Sequence, residues 1–122
     1  MPRYVILLHH TPPGERGRRH WDLMLEDDGV LRTWALVDEP WPGGRMAAQR
    51  LADHRLKYLD YEGPISRNRG RVRRADHGAY RTLWRAPRRW VLILAGEKFT
   101  GEATLWQPVT GSQRWCVELP AD

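Results

Sequence analysis

Cysteine is nearly absent from this sequence of 122 residues, and it contains no long apolar run. Because Cys116 is the only cysteine, no disulfide can form within the chain, which is typical of the reducing cytoplasm. The opening run Tyr4 to Leu8 is far too short to cross a bilayer, and no signal peptide precedes it. We therefore expect a cytoplasmic, monomeric protein without membrane association, folded as a single domain over residues 1–122.

Lysine is also scarce, since 18 of the 20 basic residues are arginine. Against 15 acidic residues they give a formal net charge of +5 and a pI near 10.0. This excess favours an anionic partner, nucleic acid before a membrane surface, and the planar guanidinium group matches phosphate oxygens well. A GC-rich genome would produce the same arginine usage without any function, so both explanations remain open.

Short β-rich runs separated by turn residues dominate the pattern, which predicts an all-β sandwich or barrel. Polar and apolar residues alternate from His20 to Glu26, and Asp28-Gly29 then provides a hairpin turn signal. Arg45 to His54 fits either a helix or a strand, and Leu56 to Pro64 predicts a short helical turn. The other predicted strands are Tyr4 to Leu8, Val30 to Leu36, a run around Val72 and Ala75, Tyr80 to Trp84, Trp90 to Leu94, Phe99 to Trp106 and Trp115 to Leu119.

Three polar side chains in the first two strands have the chemistry of a metal site. His20 and Asp22 share one face of their strand, because residues two apart point the same way. An imidazole and a carboxylate on a rigid strand can be two ligands of a divalent metal, and His9 or His10 could supply a third from the neighbouring strand. Histidines also occur in loops for solubility, so the spacing alone leaves the metal interpretation open.

Two further groups could bind a phosphate. His54 and Tyr58 have the chemistry of a general acid or a phosphate donor, although a surface histidine and a half-buried tyrosine are the commoner explanation. Arg69, Arg71 and Arg73 alternate, so on one strand they would form a stripe roughly 13 Å long that follows a nucleic-acid backbone. The alternative for the arginine stripe is a solvated basic face.

Several ordered pieces of the sequence carry a resemblance to a known family. They are the strand ending in His9, His20-Trp21-Asp22 with Leu25-Glu26, Gly29-Val30-Leu31-Arg32-Thr33-Trp34-Ala35, Asp53-His54 with Leu56, Tyr58 and Glu62-Gly63, Gly70-Arg71-Val72, Asp76-x-Gly78, and Gly96-Glu97-Lys98-Phe99-x-Gly101. In this order they resemble the 3′-phosphoesterase domain of the bacterial end-joining enzyme ligase D and its small stand-alone relatives, over nearly the whole chain.

The resemblance implies a mainly β fold, a small antiparallel β-barrel with short flanking helices, and it favours a strand over Arg45 to His54. It implies a manganese ion, or another divalent metal such as zinc, held by His9, His20 and Asp22, with His10 as the alternative to His9. His54 and Tyr58 would contact the adjoining phosphate. The implied activity removes a terminal ribonucleoside and then the phosphate from 3′ ends of DNA or RNA–DNA primers, with a DNA ligase or polymerase as partner.

Two methionines depart from the family pattern. Met24 stands where the ligase-fused domains carry a phosphate-clamping arginine, two residues after the metal-binding aspartate, and Met46 stands at a second arginine position. Loss of one charged contact to a transition state typically costs a few kcal/mol, or a rate factor of hundreds. Three outcomes are open: Arg45, Arg50 or Arg55 replaces the clamp, the substrate differs, or the chain binds nucleic acid without catalysis.

Overall fold

The computed structural model describes residues 1–11, 19–67 and 69–121. Its strands are β1 (Arg3–His10), β2 (Arg19–Asp27), β3 (Val30–Leu36), β4 (Arg45–His54), β5 (Gly63–Pro64), β6 (Arg71–Ala86), β7 (Arg89–Gly96), β8 (Thr100–Trp106) and β9 (Arg114–Glu118). In these residues the short flanking helices expected from the resemblance are reduced to one 3-10 turn, Leu56–Leu59, so that expectation is wrong. No helix in the described ranges is long and apolar enough to cross a membrane.

All strand pairings are antiparallel, and eight of the strands close into a barrel. The order around the sheet is β1-β2-β3-β4-β9-β8-β7-β6, and β6 pairs with β1 again, while the two-residue β5 flanks the start of β6. The prediction of a mainly β, antiparallel barrel is therefore confirmed, and the ambiguous segment Arg45–His54 is a strand. Closure leaves few free sheet edges, which limits pairing with other chains.

Alternation decides which side chains fill the barrel. In β2, Leu23 and Leu25 face the interior together with Tyr4 and Ile6 of β1. The turn into β3 has positive φ at Asp28 (52°) and at the next residue (80°), the combination that a tight hairpin requires. Trp34 is fully buried in the interior, and its ring centroid is 5.2 Å from that of Trp90 and 5.6 Å from that of Trp115. Large aromatic rings therefore supply much of the core of a small barrel.

A second apolar cluster lies on the outer surface of the sheet. Its members alternate with the interior residues of β1 and β2, so they point outward, and the 3-10 turn covers them. The six buried members of this outer cluster are Val5, Leu7, Met24, Leu31, Leu59 and Val72. The Arg3 Nη2 to Asp60 Oδ1 ion pair of 2.6 Å joins the end of the turn to β1. The turn and its tyrosines thus pack against the outside of the barrel.

Strand β6 is longer than the sequence suggested. We predicted two runs separated by Gly78, but residues Arg71–Ala86 form one strand whose first half pairs with β1 and whose second half pairs with β7. A Cβ at Gly78 would lie 2.1 Å from the Ala95 carbonyl oxygen, so glycine here permits close approach of β7 instead of ending the strand. The first half of β6 therefore borders β1 without β7 beside it.

A buried carboxylate fixes the place where β6 passes from β1 to β7. Asp76 is buried and accepts hydrogen bonds from Tyr4 Oη (2.5 Å), Lys98 N (2.8 Å) and Phe99 N (3.3 Å). A Cβ at Gly96 would lie 1.8 Å from Tyr4 Oη, so only glycine fits beside this group. Two of the sequence pieces that carried the family resemblance therefore have a structural role.

Candidate active site on the outer face of the barrel

The predicted metal ligands come together on the outer face of β1 and β2. His9 and His20 are direct cross-strand partners, with ring centroids 5.9 Å apart, and Asp22 follows two residues after His20 on the same face. His10 pairs with Arg19 and points to the other face of the strand. The structure therefore places His9, and not His10, beside Asp22.

A backbone carbonyl fixes the ring of His9. His9 Nε2 lies 2.7 Å from the Arg69 carbonyl oxygen, and because a carbonyl only accepts, Nε2 carries the hydrogen and Nδ1 is left with its lone pair. The loop can reach His9 because Gly70, at φ 101°, passes so close to β1 that a Cβ would lie 1.9 Å from the His10 carbonyl oxygen. Metal-binding histidines are commonly oriented by such a backbone acceptor on the other ring nitrogen.

Asp22 lies in an environment that disfavours its charge. Burial raises the pKa of the Asp22 carboxyl above its usual value, and nearby His54, His20 and His9 oppose this by favouring the ionised form. No described residue donates a hydrogen bond to this carboxylate. A carboxylate among three imidazoles with free acceptor sites has the donor chemistry of a divalent cation site, although no three His, Cys, Asp or Glu residues in the described ranges are grouped tightly enough to form one.

His54 and Tyr58 lie beside this group. A register shift between β3 and β4 places His54 opposite Leu31 of the outer cluster, so the imidazole points outward. His54 Nδ1 donates to the Ala52 carbonyl oxygen at 2.9 Å, which leaves Nε2 free for a ligand. Its ring meets that of Tyr58 edge to face with centroids 6.1 Å apart. The predicted pair is thus brought to the same face as Asp22.

A basic cleft opens next to His54 and Tyr58. Its volume is about 590 Å³, and Asp53 is the one acidic residue among the described residues that line it. The basic residues that line it are Arg55, Lys57, Arg67 and Arg69. A positively charged groove with a tyrosine ring on its wall has the character of a site for a single nucleic-acid strand.

Four of the predicted arginines lie away from this face. Arg45 is at the opposite end of β4, roughly 30 Å along the strand from His54, where it faces Glu118 at 3.7 Å. Arg71 and Arg73 are exposed on β6, on the opposite face from Val72 of the outer cluster. Arg50 also faces away from His54, as described below. Of the arginine stripe, only Arg69 lines the cleft.

Met24 and Met46, which the resemblance places at arginine positions, are both buried. Met24 is 1% exposed and belongs to the outer cluster, two residues after Asp22 on the same face. Met46 is 5% exposed and faces the barrel interior. Met24 therefore stabilises the packing of the 3-10 turn on the sheet, and neither methionine can donate a hydrogen bond to a phosphate.

Sequence reasoning missed two contributors to this site. The first is the Arg69 carbonyl group, which contacts His9 and leaves no trace in a side-chain pattern. The second is Tyr61, whose ring packs against that of Tyr58 with centroids 6.2 Å apart and lines the cleft. The three-residue spacing of these tyrosines was a usable signal, because residues i and i+3 eclipse each other in a 3-10 turn.

The sequence of this chain is similar to known proteins of one family. The profile of the family described as DNA Ligase D 3′-phosphoesterase domain matches residues 9–107. The chain is 35% identical over 86 residues, 66% of its length, to the multifunctional non-homologous end joining protein LigD of Pseudomonas aeruginosa. It is 30% identical over 137 aligned positions, 98% of its length, to the protein of the same name from Mycolicibacterium smegmatis.

The chain spans only 10% and 17% of the length of these two relatives. Because the family match covers most of the chain, the protein belongs to the DNA ligase D 3′-phosphoesterase domain family. The resemblance first inferred from the sequence is thereby confirmed.

Proposed function

We propose that this chain is a metal-dependent phosphoesterase that processes the 3′ ends of DNA or RNA–DNA primers in DNA end joining. The observation that carries the proposal is the convergence of His9, His20, Asp22 and His54 on one face, with the basic cleft beside them. The removal of a 3′ ribonucleoside and of the remaining 3′ phosphate are both part of the proposal. A DNA ligase or polymerase would act next on the trimmed end.

The donor set fits a divalent cation. His9 has a ring nitrogen left over by its bond to the Arg69 carbonyl, and Asp22 has no hydrogen-bond partner among the described residues. Two imidazoles and one carboxylate suit manganese, zinc or iron and leave positions open for other ligands. His9, His20 and Asp22 would hold the ion, which when bound would polarise a phosphate oxygen.

The remaining side chains would act on the phosphate directly. His54 Nε2 is free and, when protonated, would donate a proton to the leaving oxygen or a hydrogen bond to the developing negative charge. The Tyr58 hydroxyl would donate to a second phosphate oxygen. Arg55 and Arg69 line the cleft, where they would attract the phosphate backbone of a nucleic-acid strand whose 3′ end lies at His54.

The decisive experiment incubates the full chain with manganese and a primer carrying one 3′ ribonucleotide. We expect trimming by the unaltered chain and a loss of at least about a hundredfold in His20→Ala, because one ion ligand is removed. His10→Ala is the matched control, since it removes an imidazole from β1 on the face opposite to Asp22. Both variants should keep the thermal unfolding midpoint of the parent.

Two results would contradict the proposal. One is the absence of trimming and of phosphate release with manganese, zinc, cobalt and magnesium. The other is equal activity of His20→Ala and the parent. Loss of activity in His10→Ala, together with full activity in His9→Ala, would assign the metal ligand from β1 to His10 instead of His9.

A second candidate function is nucleic-acid binding without catalysis. Met24 favours it, because this side chain is buried and stands where the resemblance places a phosphate-contacting arginine. This function predicts salt-dependent binding of DNA ends that weakens in Arg69→Gln, with no turnover under any metal. The Met24→Arg variant separates the two: a gain in trimming rate supports a phosphoesterase with a weakened clamp, and binding that stays free of turnover supports the binding module.

A further inference from the structure

A second group of cationic side chains lies at one mouth of the barrel. Arg50 follows Met46 and Ala48 on the inward face of β4, so it points away from the face that carries His54. Arg32 and Arg85 lie next to it, and all three arginines line one cleft of about 470 Å³. We call this group, together with Trp34, Trp90 and Trp115, the mouth cluster.

The guanidinium group of Arg50 contacts indole rings. Its Cζ lies 4.4 Å from the ring centroid of Trp34, 5.9 Å from that of Trp90 and 5.8 Å from that of Trp115. No carboxylate or carbonyl of the described residues accepts a hydrogen bond from it. The described contacts of this guanidinium group are therefore with rings, which leaves its N–H donors available for a ligand.

The neighbouring charges leave Arg50 as the surplus cation. Arg32 donates to Asp27 at 3.0 Å and to Asp53 at 2.7 Å, and Arg85 donates to the same Asp27 oxygen at 3.0 Å. Two carboxylates therefore pair with two arginines, and no carboxylate of the described residues forms an ion pair with Arg50. Burial lowers the pKa of Arg50, and Arg32 and Arg85 act in the same direction, while the carboxylates of Asp53 and Asp27 oppose it.

The mouth has room for an anion and an open approach. A second cleft of about 530 Å³ is also lined by Arg50, together with Gln113, Ser112 and Trp115. The strand pairing of β4 with β9 ends at Gln49, and Arg50 N still donates to the Gln113 carbonyl oxygen at 2.7 Å, while the pairing of β4 with β3 continues to His54. Beyond Arg50 no described strand pairs with this edge of β4, which lies between the mouth cluster and His54.

We propose that the mouth cluster binds a phosphate group through Arg50, at a site distinct from the His9, His20 and Asp22 group. A phosphate suits two or more parallel N–H donors of a guanidinium group better than a single lysine charge. The phosphate belongs either to a free anion or to a nucleic-acid strand that crosses the open edge of β4. Arg50 lies about 13 Å along β4 from His54, so one nucleic-acid strand could reach both side chains. The proposal requires no catalysis and no metal.

The test is a titration of the metal-free full chain followed by ¹H–¹⁵N NMR of the indole Nε1–H groups. Inorganic phosphate is the first probe and a single-stranded hexathymidylate the second. We expect the signals of Trp34, Trp90 and Trp115 to shift with saturation. Trp41 and Trp84 are 45% and 54% exposed outside this cluster and serve as internal controls whose signals stay in place.

Three variants make the assignment specific. Arg50→Gln should weaken binding by about tenfold or more, because it removes a charged bidentate donor. Arg81→Gln is the matched control, since it removes an equal charge from an exposed position of β6 and should leave affinity within about twofold. Arg50→Lys keeps the charge and the fold but lacks the planar fork, so it should also bind more weakly.

The outcomes are distinct from those of the phosphoesterase assay, because no turnover is measured. Shifts with both probes support a free-anion site, and shifts with hexathymidylate alone support contact with a strand. Equal loss of affinity in Arg50→Gln and Arg81→Gln would show that binding depends only on the net charge of the protein, and this would overturn the proposal. The proposal would also fail if neither probe moved the three clustered indole signals, or if Trp41 and Trp84 moved equally.

Discussion

Replacing Asp76 by alanine tests whether the buried carboxylate holds the barrel closed. The change leaves Tyr4 Oη, Lys98 N and Phe99 N without their acceptor in a buried place. Removing one partner of a buried charged network typically costs about 3–5 kcal/mol. Since a domain of this size is stable by about 5–15 kcal/mol, we expect a fall of roughly 10–20 °C in Tm.

The assay is urea and thermal unfolding followed by circular dichroism, at neutral pH and without metal. Tyr4→Phe removes only one of the three donors and should cost about 1.5–3 kcal/mol. Glu97→Gln is the control from the same corner, because it breaks a pair with His77 at 3.0 Å in which Glu97 is 71% exposed. Such surface pairs contribute about 0–1 kcal/mol. An Asp76→Ala chain as stable as this control would refute the reasoning.

Three further predictions concern the site and its surroundings. Asp22→Asn should stabilise the metal-free chain by about 1 kcal/mol near neutral pH and abolish any rise in Tm with manganese, because burial opposes the charge of Asp22. Parallel melting curves at pH 3 should show this gain disappear, since a folded-state pKa above 3.8 penalises the fold only at higher pH. Gly70→Ala should lower Tm and weaken metal binding, measured by calorimetry, because its Cβ would strike the His10 carbonyl. Burial alone would raise the pKa of Asp27, but hydrogen bonds from Arg32 and Arg85 hold it below its usual value. The stabilisation of the fold by ionised Asp27 should be complete above pH 3.8 and should decrease as the pH falls through the lower folded-state pKa of Asp27. Over this pH range the urea midpoint of Arg85→Gln should fall less than the urea midpoint of the parent.

The strands and the first site residues could be predicted because each depends on local order in the sequence. The alternation from His20 to Glu26 fixes which side chains share a face, and neighbouring strands then bring His9 opposite His20. The Asp28-Gly29 turn fixes the register of that hairpin with β3. These inferences needed no knowledge of contacts between distant parts of the chain.

The arginine stripe could not be assigned in the same way, because the sequence does not show where β6 begins. Arg69 precedes β6, which starts at Arg71, so the three arginines do not alternate on one strand. Arg71 and Arg73 therefore share an exposed face of β6, while Arg69 lines the cleft. Arg45 was a candidate by its sequence neighbourhood, but the length of β4 carries it to the far end of the barrel.

The outer cluster has a consequence for motion. The barrel interior and the outer cluster lie on opposite sides of one sheet, so they do not share side chains. The segment that carries Tyr58 and Tyr61 is held by the outer cluster, which is the smaller of the two clusters, and by a solvent-accessible ion pair between Arg3 and Asp60. Detaching it exposes far less apolar surface than opening the barrel, so local unfolding there costs less free energy than global unfolding. The wall of the cleft can thus open and reclose as a unit while the eight-stranded scaffold keeps its shape.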